Sequence, residues 1–113
     1  MKVSLINLNL VAEDAVGACI VNQVRLFLRR GDDVRIYTLH PPERVPADVE
    51  ALTRVVKLAD LKEGRREHFR LSDLYIYHYP GRYDLMESIR DRDRGTVIFY
   101  YHNVTPPELW GTD

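Results

Sequence analysis

The sequence predicts an α/β protein whose core is an open parallel sheet of about five strands, in the order 3-2-1-4-5, with helices on both faces. Three observations favour this fold class. Apolar runs of strand length alternate with segments of helical periodicity. The first run has little polar alternation, which is typical of a strand covered on both faces. Two later runs, within residues 74–81 and 97–108, end alike in a histidine with a nearby proline, which indicates a shared site at one sheet edge or a coincidence.

The first β-helix-β unit lies in the first third of the chain. Residues 2–11 are the predicted first strand, and residues 33–39 are the second. Between them, Asp14 is the predicted helix cap, and the arginines and glycine at 29–31 supply a cationic last turn and a stop. A unit of this length is a right-handed crossover between parallel strands. The inward face of the helix is predicted to hold Val16, Ile20, Val24, Phe27 and Leu28.

The middle of the chain carries weaker signals. Prolines at 41, 42 and 46 interrupt it, a short helix is predicted at 47–52, and a third strand is predicted at 54–58. Residues 62–70 hold most of a charge-rich helix or loop, which we interpret as a solvated face rather than a binding patch.

The last third returns to strand-helix-strand alternation. Strands are predicted at 73–79 and 95–101, joined by a helix at about 83–93. With the first strand in the centre, the order of strands reverses between strands one and four, and ligands of such sheets bind at that switch point. The inward residues of the joining helix are predicted to be Leu85, Met86 and Ile89.

Composition limits the class of protein. A chain of 113 residues, 45% hydrophobic and 29% charged, fits one soluble globular domain. Sixteen Lys plus Arg against seventeen Asp plus Glu give a net charge of -1, so no nucleic-acid partner is expected. The single Cys19 excludes an internal disulfide and is interpreted as a small core residue. No apolar run reaches the roughly 20 residues that cross a bilayer, so no transmembrane segment is expected.

The first strand-helix turn lacks a dinucleotide fingerprint. That motif needs three spaced glycines and an acidic residue at the end of strand two. Gly17 is the only glycine between Val11 and Leu28, and strand two ends in Tyr-Thr-Leu-His at 37–40, without a carboxylate. No Walker phosphate loop occurs either. Gly17 therefore has two open interpretations: a backbone anion site at the helix start, or a small residue that allows helix and strand to pack.

His78 and His102 are the strongest candidates for chemistry, because each lies at the end of a predicted strand. A zinc site needs three or four ligands, and no cysteine, second histidine or suitably placed acid accompanies either one. A nucleophilic triad would need a serine or cysteine at a glycine-flanked elbow. Contact with a sugar or phosphate remains, and its alternative is a histidine that hydrogen-bonds loop backbone. We expect no metal and no cofactor, and we expect His40 and His68 to be exposed.

Two segments, Ile76–Tyr79 and Phe99–Glu108, carry a family resemblance. The second reads Phe-Tyr-Tyr-His-Asn-Val-Thr-Pro-Pro-Glu, and the chain resembles the N-terminal domain of group 1, family-4-type glycosyltransferases with the GT-B fold. In that family a Rossmann-like N-terminal domain binds the acceptor and a similar C-terminal domain binds a nucleotide-sugar. The sugar is transferred between them with retention of configuration, usually without a metal.

The resemblance also implies roles for individual residues. His102 matches the histidine that faces the transferred sugar, which makes it the expected catalytic residue. Gly17 matches the glycine of the first loop near the donor phosphates, although this loop lacks the family's usual pair of adjacent glycines. The expected substrate-binding residues are Gly17, His78, Asn103, Thr105 and Glu108.

The resemblance implies that residues 1–113 are a partial acceptor-side domain. A nucleotide-sugar donor and a glycan, lipid or small-molecule acceptor are the expected partners of the complete enzyme, in the cytoplasm or peripheral at the inner membrane face. The donor half is not in these residues, so we expect the chain alone to be inactive and to self-associate through residues 95–113. The alternative, from another class, is a non-catalytic Rossmann-like or flavodoxin-like ligand-binding module that is complete at this length.

Overall fold

A computed structural model describes residues 1–11, 15–62, 66–79 and 84–101. They form one all-parallel sheet in the order β3-β2-β1-β4-β5, which confirms the predicted fold class and strand order. The strands are β1 (Lys2–Asn7), β2 (Asp33–Thr38), β3 (Thr53–Val55), β4 (Leu74–Tyr79) and β5 (Thr96–Tyr101). The helices are α1 (Ala15–Arg29), α2 (Ala47–Glu50), α3 (Leu58–Leu61), α4 (Glu67–Arg70) and a 3₁₀ helix, Asp84–Asp91.

An apolar layer covers each face of the sheet. Successive residues of β1 point to opposite faces, so that Leu5 joins one layer and Ile6 joins the other. We call the first side the α1 face and the second side the α4 face. The helical residues that fill them include Ile20, Val24 and Val49 on the α1 face, and Leu61, Phe69 and Leu85 on the α4 face.

β1 is shorter than the predicted strand at 2–11. It ends at Asn7, where the side-chain Nδ2 donates to the carbonyl of Asn9 at 2.6 Å. An asparagine that bonds the backbone two residues further on favours a turn, and this turn ends the strand. Further along, Val11 makes an isolated bridge to Glu43.

The charge-rich helix or loop predicted at 62–70 contains the short helix α4, and a second short helix, α3, precedes it. α3 begins at the end of the predicted strand 54–58, which reduces β3 to three residues. The Asp60 carboxylate accepts the backbone N–H of Lys57 at 2.8 Å, and this cap fixes the start of α3.

Asp73 joins three segments where the strands begin. Its carboxylate accepts the backbone N–H of Lys2 at 2.9 Å and pairs with the guanidinium of Arg94. The hydrogen bond from Lys2, together with Arg94, holds the pKa of Asp73 below its ordinary value. Next to this junction, Gly95 has a φ of +98°, and a Cβ there would lie 2.5 Å from the carbonyl oxygen of Ser72. Only glycine therefore fits at the entry to β5.

Candidate functional site

Polar side chains lie in a row at the carboxyl ends of four neighbouring strands. In the strand register, Asn7 of β1 pairs with Thr38 of β2, and His78 of β4 pairs with Tyr100 of β5. The last pair of β1 with β4 is Ile6 with Tyr77, so the next residues, Asn7 and His78, lie side by side. Strand alternation puts these four residues on the α1 face. The row, in the order Thr38, Asn7, His78, Tyr100, crosses the switch point between β1 and β4. We call it the polar row.

Asn7 is the buried member of the polar row with an unmet hydrogen-bonding atom. The residue is 1% exposed, and within the described part of the chain its Oδ1 accepts no hydrogen bond. A buried acceptor without a donor costs about 1–3 kcal/mol. A ligand at the switch point that donates a hydrogen bond to this Oδ1 would therefore be stabilised there. The signal in the sequence was a polar residue inside the predicted first strand.

His78 is fully buried in β4. Its Nε2 donates to the Oε1 of Gln23 in α1 at 2.7 Å, and its ring centroid lies 5.3 Å from that of Tyr100. The imidazole thus hydrogen-bonds a side chain of the covering helix. The sequence had predicted a contact either with substrate or with loop backbone. A direct contact between His78 and substrate stays a prediction.

Gly17 lies in the first turn of α1 and is buried. This position agrees with the interpretation of a small residue that lets the helix pack on the sheet. The role of Gly17 near a phosphate stays a prediction, since residues 12–14 of the preceding loop lie outside the described residues.

The other predicted site residues lie outside the described part of the chain. These are the catalytic candidate His102 and the substrate-binding candidates Asn103, Thr105 and Glu108. β5 ends at Tyr101, which pairs with Tyr79 at the end of β4, so His102 is the next residue in sequence after this edge of the sheet.

A groove of about 500 Å³ runs between α1 and β5. Cys19, predicted as a core residue, is instead half-buried in its wall, because α1 turns this side toward β5 and not toward the sheet centre. A side-chain hydrogen bond with Cys19 raises the pKa of the Tyr100 hydroxyl. The groove is lined by Ala15, Ala18, Cys19, Asn22, Gln23 and Leu26 of α1 and by Tyr100 of β5. Sequence reasoning missed Gln23, although it lies three residues after Ile20 on the inward stripe of the helix.

The predicted exposure of His68 is wrong, whereas that of His40 is confirmed. The His68 side chain is 14% exposed; its Nδ1 accepts the Tyr37 hydroxyl at 2.9 Å, and its Nε2 donates to the carbonyl of Asp33 at 2.9 Å. The charges of residues 62–70 suggested a solvated segment, but α4 turns the side chains of His68 and Phe69 toward β2. Burial lowers the pKa of His68, against the opposing effect of Asp33, and burial raises the pKa of Tyr37.

Among residues 1–11, 15–62, 66–79 and 84–101, no group of three His, Cys, Asp or Glu side chains could hold a metal ion. No helix in that part of the chain is both long and apolar enough to cross a membrane.

Comparisons of the chain with protein-family models, with curated proteins and with solved structures find no match.

Proposed function

We propose that this chain is the acceptor-side, N-terminal part of a retaining glycosyltransferase with the GT-B fold. The observation that carries the proposal is the polar row, which ends on β5 two residues before His102. The sequence resemblance assigns catalysis to His102. This histidine therefore comes directly after a sheet edge at which buried polar side chains lie. An α/β sheet of this order binds ligands at that edge.

The reaction explains why such an edge is needed. Breaking a glycosyl-phosphate bond builds positive charge on the anomeric carbon and negative charge on the departing diphosphate. Preorganised polar groups in a water-poor cleft lower the cost of that charge separation. In the proposal His102 faces the transferred sugar, and Gly17, His78, Asn103, Thr105 and Glu108 contact the substrates. The nucleotide-sugar contributes its own phosphates, and no cofactor is involved.

The proposal includes partners and location. The donor is a nucleotide-sugar, and the acceptor is a glycan, a lipid or a small molecule. The protein acts in the cytoplasm, free or peripheral at the inner face of the membrane. The chain of 113 residues on its own self-associates through residues 95–113, and the exposed Ile98 and Phe99 of β5 support this part.

A transfer assay tests the proposal. The longest natural protein that contains these 113 residues is incubated with UDP-glucose, UDP-galactose, UDP-N-acetylglucosamine and GDP-mannose in an extract of glycans and lipids from its source. We expect transfer from one donor, with a product of the donor's anomeric configuration by NMR, and no transfer by the 113-residue chain alone. Hydrolysis and transfer both at background for every donor, with the protein folded, would favour the non-catalytic binding module. An inverted product, or turnover by the isolated chain, would contradict the proposal directly.

A further inference from the structure

The groove between α1 and β5 has one wall of small side chains and one aromatic wall. Ala15, Ala18 and Cys19 share a side of α1 with Leu26, because residues three, four and seven apart lie on one helix face. Opposite them stands Tyr100, which is 43% exposed. Small side chains on the helix leave the space that gives the groove its volume of about 500 Å³, within the range of ligand pockets.

The polar groups of the groove are neutral and held in position. Two amides, those of Asn22 and Gln23, lie on its helical wall, and no charged side chain is among the described residues that line it. The Gln23 amide is fixed by its 2.7 Å bond to the buried His78. The Tyr100 ring packs against the ring of His78, with 5.3 Å between the two centroids. The described residues of the groove therefore offer hydrogen-bonding groups next to apolar surface, and none of them carries a charge that would attract a phosphate or carboxylate.

We propose that this groove binds a neutral glycoside with an apolar aglycone, and that such a compound is the acceptor class of the enzyme. The sugar lies on the Tyr100 ring with its hydroxyls on the amides of Asn22 and Gln23, because a pyranose has apolar C–H faces and a polar rim. The aglycone follows the wall from Ala18 to Leu26. The statement that this compound is an acceptor rests on the proposed function. The binding of the glycoside in the groove does not depend on sugar transfer.

An NMR titration of the ¹⁵N-labelled chain tests the inference, with octyl β-glucoside below its micellar concentration as the probe. The chain carries Phe99→Lys, which should prevent self-association and lies on the face of β5 opposite Tyr100. We expect saturable shifts that centre on Ala18, Asn22 and Tyr100. Methyl β-glucoside should bind at least tenfold more weakly, because it lacks the chain that covers the apolar wall. Glucose 6-phosphate should not bind in the groove, and octanol should bind more weakly than octyl β-glucoside.

Three variants make the test specific to the groove. Ala18→Leu fills the groove and should abolish the shifts. Leu28, which the sequence predicted on the inward face of α1, is instead 38% exposed and lies outside the lining, so Leu28→Ala should leave the shifts unchanged. Asn22→Ala changes an exposed residue, so it should fold normally and weaken octyl β-glucoside about fivefold while leaving octanol unchanged. Matching spectra without ligand show that each variant is folded.

Several results would overturn the inference: shifts centred elsewhere, octanol binding as tightly as octyl β-glucoside, or unchanged affinity in Asn22→Ala. The outcome is independent of the transfer assay. Binding here with no transfer by the natural protein would remove the transferase and keep a glycoside site. Transfer without binding here would keep the transferase and move its acceptor to another surface.

Discussion

The Nε2 of His78 lies 2.7 Å from the Oε1 of Gln23, so a fully buried imidazole of β4 is held by an amide of α1. This hydrogen bond connects the switch point of the sheet to the helix that covers it. Because Gln23 lies on the helical wall of the groove, the same bond holds one polar group of that wall in position.

We predict that His78 and Gln23 are energetically coupled. Gln23→Met keeps the length of the side chain but removes the acceptor, leaving a buried donor unmet at a cost of about 1–3 kcal/mol in the free energy of unfolding. A double-mutant cycle with His78→Phe, measured by urea denaturation, should give a coupling of about 1 kcal/mol. Asn22→Met, at an exposed position of the same helix, should change stability by less than about 0.5 kcal/mol. Strictly additive effects in the cycle would show that the bond does not contribute.

The pairing of His68 with Tyr37 and Asp33 predicts a pH-dependent stability. Burial places the folded pKa of His68 below its ordinary value of 6.5, so the unfolded state takes up a proton first as pH falls. The stabilising effect is complete above pH 6.5 and is lost as pH falls from there toward the lower folded pKa. Urea denaturation between pH 8 and 5 should show this decline.

Histidine variants separate this effect from other titrations. His68→Gln should reduce the decline between pH 6.5 and 5, whereas His40→Gln, at an exposed histidine, should leave it unchanged. The same slope in wild type and His68→Gln would mean that His68 is not the group responsible.

Gly95 is predicted to be much less replaceable than Gly31. Gly95→Ala combines a φ of +98° with a Cβ placed 2.5 Å from the Ser72 carbonyl, and it should cost at least about 3 kcal/mol. Gly31→Ala is the matched control, because Gly31 has a φ of +81° but nothing within 4 Å of the added Cβ. It should cost only about 1 kcal/mol. Equal losses in the two variants, compared by urea denaturation, would attribute the effect to backbone strain alone.

The sequence predicted the order of the strands, whereas it did not predict which side chains the polar residues contact, and the reason is physical. Strand order follows from apolar periodicity and crossover rules, which are local properties of the chain. The partners of polar side chains depend on which elements meet in space. His68 was therefore assigned to the surface from its charged neighbours, and the pairing of Gln23 with a residue 55 positions away had no signal in spacing alone.

The edge strand β5 is predicted to mediate self-association of the chain. Its six residues carry no charge or proline, and Phe99 is 53% exposed, so nothing on this strand opposes pairing with another copy. Light scattering should show a dimer or higher oligomer at high micromolar concentration. Phe99→Lys should shift it to monomer, while Leu28→Lys on α1 should not. A monomeric wild-type chain, with Trp110 emission typical of a buried indole, would refute this.

The central claim is that His102 acts on the transferred sugar, and the most direct test is the kcat of His102→Ala in the longest natural protein that contains this chain. We expect kcat to fall by about 100-fold or more. The free energy of unfolding should change by no more than about 0.5 kcal/mol, as is usual for a substitution at the protein surface. His40→Ala, which changes an exposed histidine, should retain wild-type kcat. A folded His102→Ala protein with normal kcat would contradict the account, as would a variant whose loss of activity is explained by unfolding.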